Sequence, residues 1–190
     1  MQSKRDRVEN DAFTWRTMTP LVKIGTVVIW AVFLLYLLFL LKLLLFSRPL
    51  GSERSLNLIP FATIANYLSG AAGVSKGIAL GNVVGNVVAF LPLGVFLSAV
   101  RRTTRIWSNL LIVVCVSAGV EIVQGIFGLG ASDIDDVILN TLGGLLGILF
   151  FSAVHKLLQR WSRVTLAIAV LSILGAPVLA LLVFGIRLRM

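Results

Sequence analysis

Three aspartates lie within four positions at the start of an apolar segment of this chain. They are Asp133, Asp135 and Asp136, and Asn140 follows Asp136 after about one helical turn. A carboxylate in or beside a membrane is costly in free energy, so such residues usually act on a ligand, an ion or a proton. The chain holds only eight acidic residues. This cluster is therefore the first candidate for a functional site.

A capping role is the alternative for two of these aspartates. Ser132 precedes the predicted helix and Asp135 follows three residues later, which predicts a capping box with Asp in place of the usual Glu. Acidic side chains are also favoured at the positive end of a helix dipole, which would account for Asp133 as well. The capping hypothesis leaves Asp136 unexplained.

Asp136 begins a face of polar and small residues on the same predicted helix. Asn140 lies four residues after it, and residues four apart share one face of a helix. Gly143 and Gly147 continue that face with the GxxxG spacing that permits close helix approach. The pattern predicts either a functional carboxylate beside a helix contact or a hydrogen-bonded packing surface.

The preceding apolar segment carries a second polar face. Ser117, Glu121 and Gln124 follow one another at helical spacing, and Glu121 lies too deep in the segment to be a simple cap. A buried glutamate pairs with a cation or takes up a proton. The cation could be Arg48, Arg54, a metal or a ligand group. The alternative is a neutral Glu121 hydrogen-bonded to Gln124 or to the asparagine of the next span.

The segment before that contains a third polar face. Asn82 and Asn86 lie four residues apart, and Gly81 and Gly85 add a small face beside them. Pro92 is expected to break the helical hydrogen bonding. The alternative is a kinked helix whose polar residues serve packing only.

A short segment at 56–68 contains Asn57 and Pro60 and is too short to be a span. The sequence predicts that this segment is a re-entrant or interfacial piece that caps the bundle. An ordinary amphipathic loop is the alternative.

These faces together predict one polar cleft with secondary residues around it. The predicted cleft residues are Asn86, Glu121, Gln124, Asp136 and Asn140. The secondary residues are Asn57, Pro60, Asn82, Pro92, Ser117, Asp133 and Asp135. Because Mg²⁺ prefers hard oxygen ligands, Glu121, Asp133 and Asp136 are an alternative set for that ion. No other cofactor is predicted.

Composition indicates an integral membrane protein. The 190 residues are 58% hydrophobic and 13% charged, and the mean hydropathy is +0.99, whereas a soluble domain carries about a quarter of charged residues. The net charge of +9 does not indicate nucleic-acid binding, because the basic residues fall between apolar segments. They are interpreted as topology determinants and contacts to anionic lipids. The single cysteine excludes an internal disulfide.

The apolar segments predict an all-α, multi-pass helical bundle of five spans. The spans are 22–46, 78–100, 106–127, 134–151 and 164–184. The first is expected to face lipid, the second to fourth to form the inside, and the fifth to kink at Pro177. We expect a tail at 1–20, a membrane domain at 21–155, and a basic loop with the last helix at 156–190.

Basic residues predict the orientation in the plasma membrane. With five spans, eleven lysines and arginines fall on the side of the N-terminus and five on the other side. The positive-inside rule then places the N-terminus in the cytoplasm and the C-terminus and the aspartates outside.

Four motifs in this order resemble the VanZ-like family, which is named after an accessory protein of glycopeptide-resistance clusters in Gram-positive bacteria. They are Asn57–Phe61, Asn86–Gly94, Ser117–Gln124 and Asp133–Gly144, and the resemblance covers about residues 55–150. It implies a multi-pass plasma-membrane protein linked to reduced sensitivity to lipid-tailed glycopeptides such as teicoplanin. It does not imply an agreed reaction.

Three functions remain open at this point. The first is binding or handling of a lipid-linked cell-envelope intermediate at the outer face, or reduced access of a lipoglycopeptide. The second is an intramembrane enzyme that acts on a polyprenyl phosphate or a wall precursor through acids or Mg²⁺. No nucleophile with an activating base is evident for it, and His155 falls on the opposite side. The third is a structural scaffold.

Overall fold

Six helices and two short strands make up the described part of the chain. The structure is a computed structural model that describes residues 15–46, 56–69, 73, 75–127 and 132–185. In chain order the elements are α1 (Pro20–Phe46), β1 (Leu56–Asn57), α2 (Ala62–Ser69), α3 (Lys76–Val100), α4 (Ile106–Phe127), β2 (Ser132–Asp133), α5 (Ile134–Leu158) and α6 (Trp161–Gly185). Arg48, Arg54 and most of the predicted tail lie outside the described residues.

Five of the described helices are long and apolar enough to cross a membrane. They contain 22 to 27 residues, and a helix of that size is about 33–40 Å long, against a hydrocarbon thickness of about 30 Å. α2 has only eight residues, about 12 Å, and cannot cross. The predicted all-α bundle of five spans is confirmed, and residues 56–69 form a short segment that does not span.

Some helix boundaries differ from the predicted ones, because the helices continue beyond the apolar segments or begin before them. α5 continues past its predicted end, and its last turn contains His155 and Lys156, whose basic side chains suit the negative end of a helix dipole. α6 begins at Trp161, three residues before its predicted start. α1 begins two residues early at Pro20, since the fixed φ of proline fits a first turn.

The two prolines that were predicted to break or kink their helices both lie inside continuous helices. Pro92 is within α3 and Pro177 is within α6. Pro92 therefore does not end its helix, although a proline has no N–H to donate. A proline removes one backbone hydrogen bond of the helix, and packing against neighbouring helices can compensate for that loss in a membrane.

α5 packs on both α3 and α4, and its contact with α3 is built on glycine. A Cβ atom on Gly143 or Gly147 would overlap the carbonyl oxygen of Val87 or Leu91 in α3. On the other side of the contact, a Cβ atom on Gly94 would overlap the backbone of α5. The predicted close approach at the GxxxG pair is confirmed. The predicted inside of three helices is not what the core shows, because the buried apolar cluster also draws on α1 and α6.

α1 and α6 pack against each other beside this three-helix unit. The rings of Phe33 and Tyr36 in α1 lie 5.5 and 5.8 Å from the ring of Phe96 in α3. The Tyr36 hydroxyl donates a hydrogen bond to the carbonyl oxygen of Ala89 at 2.7 Å. The first span is therefore not exposed on all sides, because its aromatic side is buried in the core.

The two ends of the bundle differ in charge. We call the end formed by β1, α2, β2 and the start of α5 the acidic end, since all four carboxylate residues in the described part of the chain lie there. The opposite, basic end holds the turns after α3 and α5 and the adjoining helix ends, which contain Arg101, Arg102, Arg105, Lys156, Arg160 and Arg163. The start of α1 is also at the basic end, because Arg102 lies 3.6 Å from the sulfur of Met18.

Candidate functional site at the acidic end

Asp133 links the segment before α2 to the start of α5 through hydrogen bonds. β1 and β2 pair in parallel, with Asn57 opposite Asp133. The Asp133 carboxylate accepts hydrogen bonds from the Asn57 amide at 3.1 Å and from the Thr63 hydroxyl at 2.5 Å. It also accepts from the backbone N–H of Asp135 at 2.9 Å. Asp133 therefore caps its own helix and holds a segment that lies 76 residues earlier.

Asp135 caps a helix to which it does not belong. Its carboxylate accepts hydrogen bonds from the backbone N–H groups of Phe61 and of Ile64, the latter at 3.0 Å. These groups lie at the start of α2, where N–H groups have no partner within the helix. Phe61 has a φ of 65°, an uncommon conformation for a bulky residue. Asp135 is 1% exposed, so its carboxylate contacts groups of the protein and not the solvent.

The predicted capping box at the start of α5 is wrong. Asp133, and not Ser132, is the N-cap residue. Ser132 pairs with Leu56 in the short sheet, and its hydroxyl donates to the carbonyl oxygen of Glu121 at 3.2 Å. Because the strand pairing holds Ser132 in place, the helix begins one residue later than the box requires.

Glu121 links α4 to the start of α5 through a hydrogen bond. Its carboxylate accepts a hydrogen bond from the backbone N–H of Asp133 at 2.9 Å, and the side chain is 6% exposed. Glu121 lies near the end of α4, which places it at the acidic end. Its predicted cation partners, Arg48 and Arg54, lie outside the described residues. Gln124 is buried on the same face, and both side chains have further contacts.

Asp136 occupies a groove between α3 and α5. The Asn86 amide donates to its carboxylate at 2.5 Å, and both residues are only half-buried. One turn earlier on α3, the exposed Asn82 donates to the hydroxyl of Tyr67 in α2 at 3.1 Å. Asp136 thus differs from Asp133 and Asp135, which are buried and bonded to the acidic-end segment.

Asn140 lies one turn deeper on α5 and is 1% exposed. Its amide nitrogen donates to the Ser117 hydroxyl at 3.0 Å. Its carbonyl oxygen is buried and has no hydrogen-bond partner among the described residues. Buried polar atoms are rarely left without a partner. This oxygen therefore marks a place where a donor group would be favourable.

Four of the predicted cleft residues and two of the secondary residues form three hydrogen-bonded pairs. Each pair has one member at or near the start of α5. The pairs are Asn86 with Asp136, Ser117 with Asn140, and Glu121 with Asp133. Two of the secondary residues lie apart from them. Pro60 is exposed on the segment before α2, and Pro92 lines an apolar cavity between α1 and α6.

The sequence offers Glu121, Asp133 and Asp136 as an alternative set for Mg²⁺. In the described ranges, no group of three or more His, Cys, Asp or Glu side chains could hold a metal ion. Both oxygens of Asp133 already accept hydrogen bonds from side chains, which opposes the Mg²⁺ set of Glu121, Asp133 and Asp136. His155 lies at the basic end, with its ring 4.3 Å from that of Trp161.

Sequence reasoning missed two residues of this region. Thr63 donates to Asp133, and Tyr67 accepts from Asn82. No spacing pattern links them to partners on other helices. A polar residue near the start of a short helix is the only local signal for Thr63, and it indicates a helix start without naming a partner.

The comparisons with known protein families and with known proteins agree with each other. A family model described as VanZ/LLP1 matches residues 33–174. Protein VanZ of Enterococcus faecium is 30% identical over 164 residues, which cover 82% of this chain and 91% of that protein. No solved structure matches the chain significantly. The matched region contains every residue of the three pairs at the acidic end.

Proposed function

The chain belongs to the VanZ/LLP1 family, and from this premise we propose that it lowers the effect of lipid-tailed glycopeptides such as teicoplanin. In this proposal it does so by binding a lipid-linked cell-envelope intermediate at the acidic end. The family model and the relative protein VanZ support the coarse assignment to this class of membrane protein. The binding step is our inference from the acidic end itself.

The proposal places the acidic end at the outer face of the plasma membrane. The basic end carries the arginine and lysine turns, and basic loops stay preferentially in the cytoplasm. The N-terminus is then cytoplasmic and the C-terminus outside. An envelope intermediate whose head group projects from the outer leaflet would meet the groove of Asp136 directly.

The pair of Asn86 and Asp136 carries the proposal. Asp133, Asp135 and Glu121 are buried and hold backbone or side-chain donors of the protein. Asp136 is only half-buried between α3 and α5, and its carboxylate accepts from Asn86 and has a further contact. A carboxylate and an amide in such a groove offer acceptors to hydroxyl, amide and amine groups, which sugar and peptide head groups supply.

The neighbouring surface suits a lipid-linked ligand. Leu58, Ile59 and Phe61 are 66%, 69% and 59% exposed on the segment that Asp133 and Asp135 hold. Apolar side chains at the end of a membrane bundle contact lipid favourably. The acidic end therefore combines an apolar tip with polar acceptors, as binding of a molecule with a polar head and a hydrocarbon tail requires.

Drug susceptibility in a susceptible Gram-positive host tests the proposal. Wild type is expected to reduce susceptibility to teicoplanin and to leave vancomycin susceptibility unchanged. Asp136→Asn and Asn86→Ala should weaken ligand binding about tenfold or more and abolish protection, because each removes a hydrogen bond to a charged group. Glu121→Gln removes the negative charge but keeps an oxygen acceptor for the N–H of Asp133. It should therefore reduce protection only if the function depends on the charge of Glu121.

Asn66→Ala is the matched control, because Asn66 is an exposed amide on α2 at the same end. All variants are compared at equal membrane abundance. Full protection by Asp136→Asn would contradict the binding role and favour a scaffold. If wild type changes neither susceptibility, the link to glycopeptides is wrong for this protein.

A further inference from the structure

A second polar pocket, remote from the acidic end, opens at the basic end. Its volume is about 200 Å³, and it lies between α1, the end of α3 and the start of α6. α1 contributes Thr26 and Trp30, the turn after α3 contributes Arg102, and α6 contributes Thr165. Because α3 ends at Val100, the pocket lies just where the apolar span ends.

Arg102 occupies a backbone position that usually belongs to glycine. The N–H of Thr103 donates to the carbonyl oxygen of Ser98 at 3.2 Å, and the N–H of Arg102 donates to that of Ala99 at 3.3 Å. This is a Schellman motif, in which the residue after the C-cap adopts the left-handed conformation. Arg102 does so with a φ of 47°, a conformation that is unfavourable for a residue with a Cβ atom. An outlier of this kind indicates a role for the side chain.

The Arg102 side chain is partly removed from water at this position. It is half-buried, and burial lowers the pKa of its guanidinium. Arginine nevertheless stays protonated in proteins. Arg101, its neighbour, is directed elsewhere, since its guanidinium donates to the side chains of Ser108 and Asn109 at the start of α4. Arg101 and Arg102 both line the pocket. The Arg102 guanidinium donates to the sulfur of Met18 at 3.6 Å. A guanidinium carries five N–H donors and thioether sulfur is a weak acceptor, so Arg102 is the charged donor that we assign to a ligand.

Thr165 supplies a second donor. The residue is 8% exposed, and its hydroxyl makes no hydrogen bond to any other group in the described part of the chain. Serine and threonine in helices commonly bond to the backbone one turn earlier, as Thr26 does to Val22 at 2.9 Å. A hydroxyl that lines a pocket without such a bond can donate to a ligand with acceptor oxygens.

The surrounding charge selects an anion. Every carboxylate in the described ranges lies at the acidic end, whereas six arginines and lysines lie in the two turns and the adjoining helix ends at the basic end. Phosphate groups of lipids lie at this depth, at the ends of the apolar spans. We propose that the pocket binds the phosphate group of an anionic phospholipid, with the Arg102 guanidinium and the Thr165 hydroxyl as donors.

Retention of lipid by the purified full-length protein tests this site. The protein is exchanged into a non-ionic detergent with phosphatidylglycerol, and bound lipid is counted by native mass spectrometry. Wild type should retain one phosphatidylglycerol in preference to phosphatidylcholine. Arg102→Gln should weaken retention about tenfold or more, and Thr165→Val should weaken it severalfold, because a charged donor contributes more than a neutral one.

Arg105→Gln is the control, since it removes the same charge at the same end without lining the pocket. It should retain lipid as wild type does. An equal loss in Arg105→Gln and Arg102→Gln would overturn the site in favour of general charge attraction. Displacement of the lipid by millimolar inorganic phosphate would overturn the lipid as occupant. If Arg102→Gln does not fold, Thr165→Val decides, and unchanged retention in that variant would also overturn the site.

Discussion

Gly147→Ala is expected to prevent α3 and α5 from packing and to abolish the folded bundle. The new methyl group would overlap the carbonyl oxygen of Leu91, a backbone atom that cannot rotate away. The two helices would have to separate, which opens the glycine contact on which the inside of the bundle depends. In membranes such helix pairs rely on close packing, because apolar side chains gain little over lipid.

The measurement is the fraction of monodisperse protein and its thermal stability in detergent. Gly175→Ala is the control, because a Cβ atom at Gly175 meets nothing within 4 Å. In that position alanine should be neutral or slightly stabilising, since glycine is a poor helix former. A Gly147→Ala protein that melts at the wild-type temperature would show that α3 and α5 are far enough apart at Leu91 to accept a methyl group.

Asp135→Asn is expected to release the segment 56–69 while leaving the five spans folded. The carboxylate accepts from two backbone N–H groups, and an amide can accept with one oxygen only. Its NH₂ group would face the other N–H donor. Loss of a hydrogen bond to a charged, buried group costs about 1.5–3 kcal/mol, so local opening should become about ten to a hundred times more frequent.

Hydrogen exchange of the Phe61 and Ile64 amides measures this opening. Asp136→Asn is the matched control, because it removes the same charge at the same end but bonds to α3. Protection of the two amides should fall in Asp135→Asn and persist in Asp136→Asn. Equal protection in both proteins would show that the acidic-end segment is held by other contacts. The pair of variants also separates loss of local structure from loss of the proposed binding.

The spans and their close contact could be predicted from the sequence, since length, hydropathy and GxxxG spacing are local properties. The same reasoning did not distinguish glycines that meet a partner from glycines that do not. Gly143 and Gly147 pack on backbone, whereas Cβ atoms on Gly81 and Gly85 would meet nothing within 4 Å. Helical spacing defines a face, but only the fold determines what that face contacts.

The roles of the acidic residues could not be predicted for the same reason. Asp133, Asp135 and Asp136 are neighbours in the sequence, yet one caps α5, one caps α2 and one lies in the groove. The groups that donate to their carboxylates from other elements lie 50 to 76 residues away in the sequence. Local patterns account only for the cap, and they misplaced it by one residue.

The distance along the chain between Asp135 and Phe61 also sets an order of events during synthesis. The two residues are 74 positions apart, so at about 5–20 residues per second the ribosome needs about 4–15 s to supply the cap of α2. An isolated helix of eight residues is not stable before then. The acidic end is therefore completed only after α5 has entered the bundle, and a nascent chain that stops before residue 135 cannot build it.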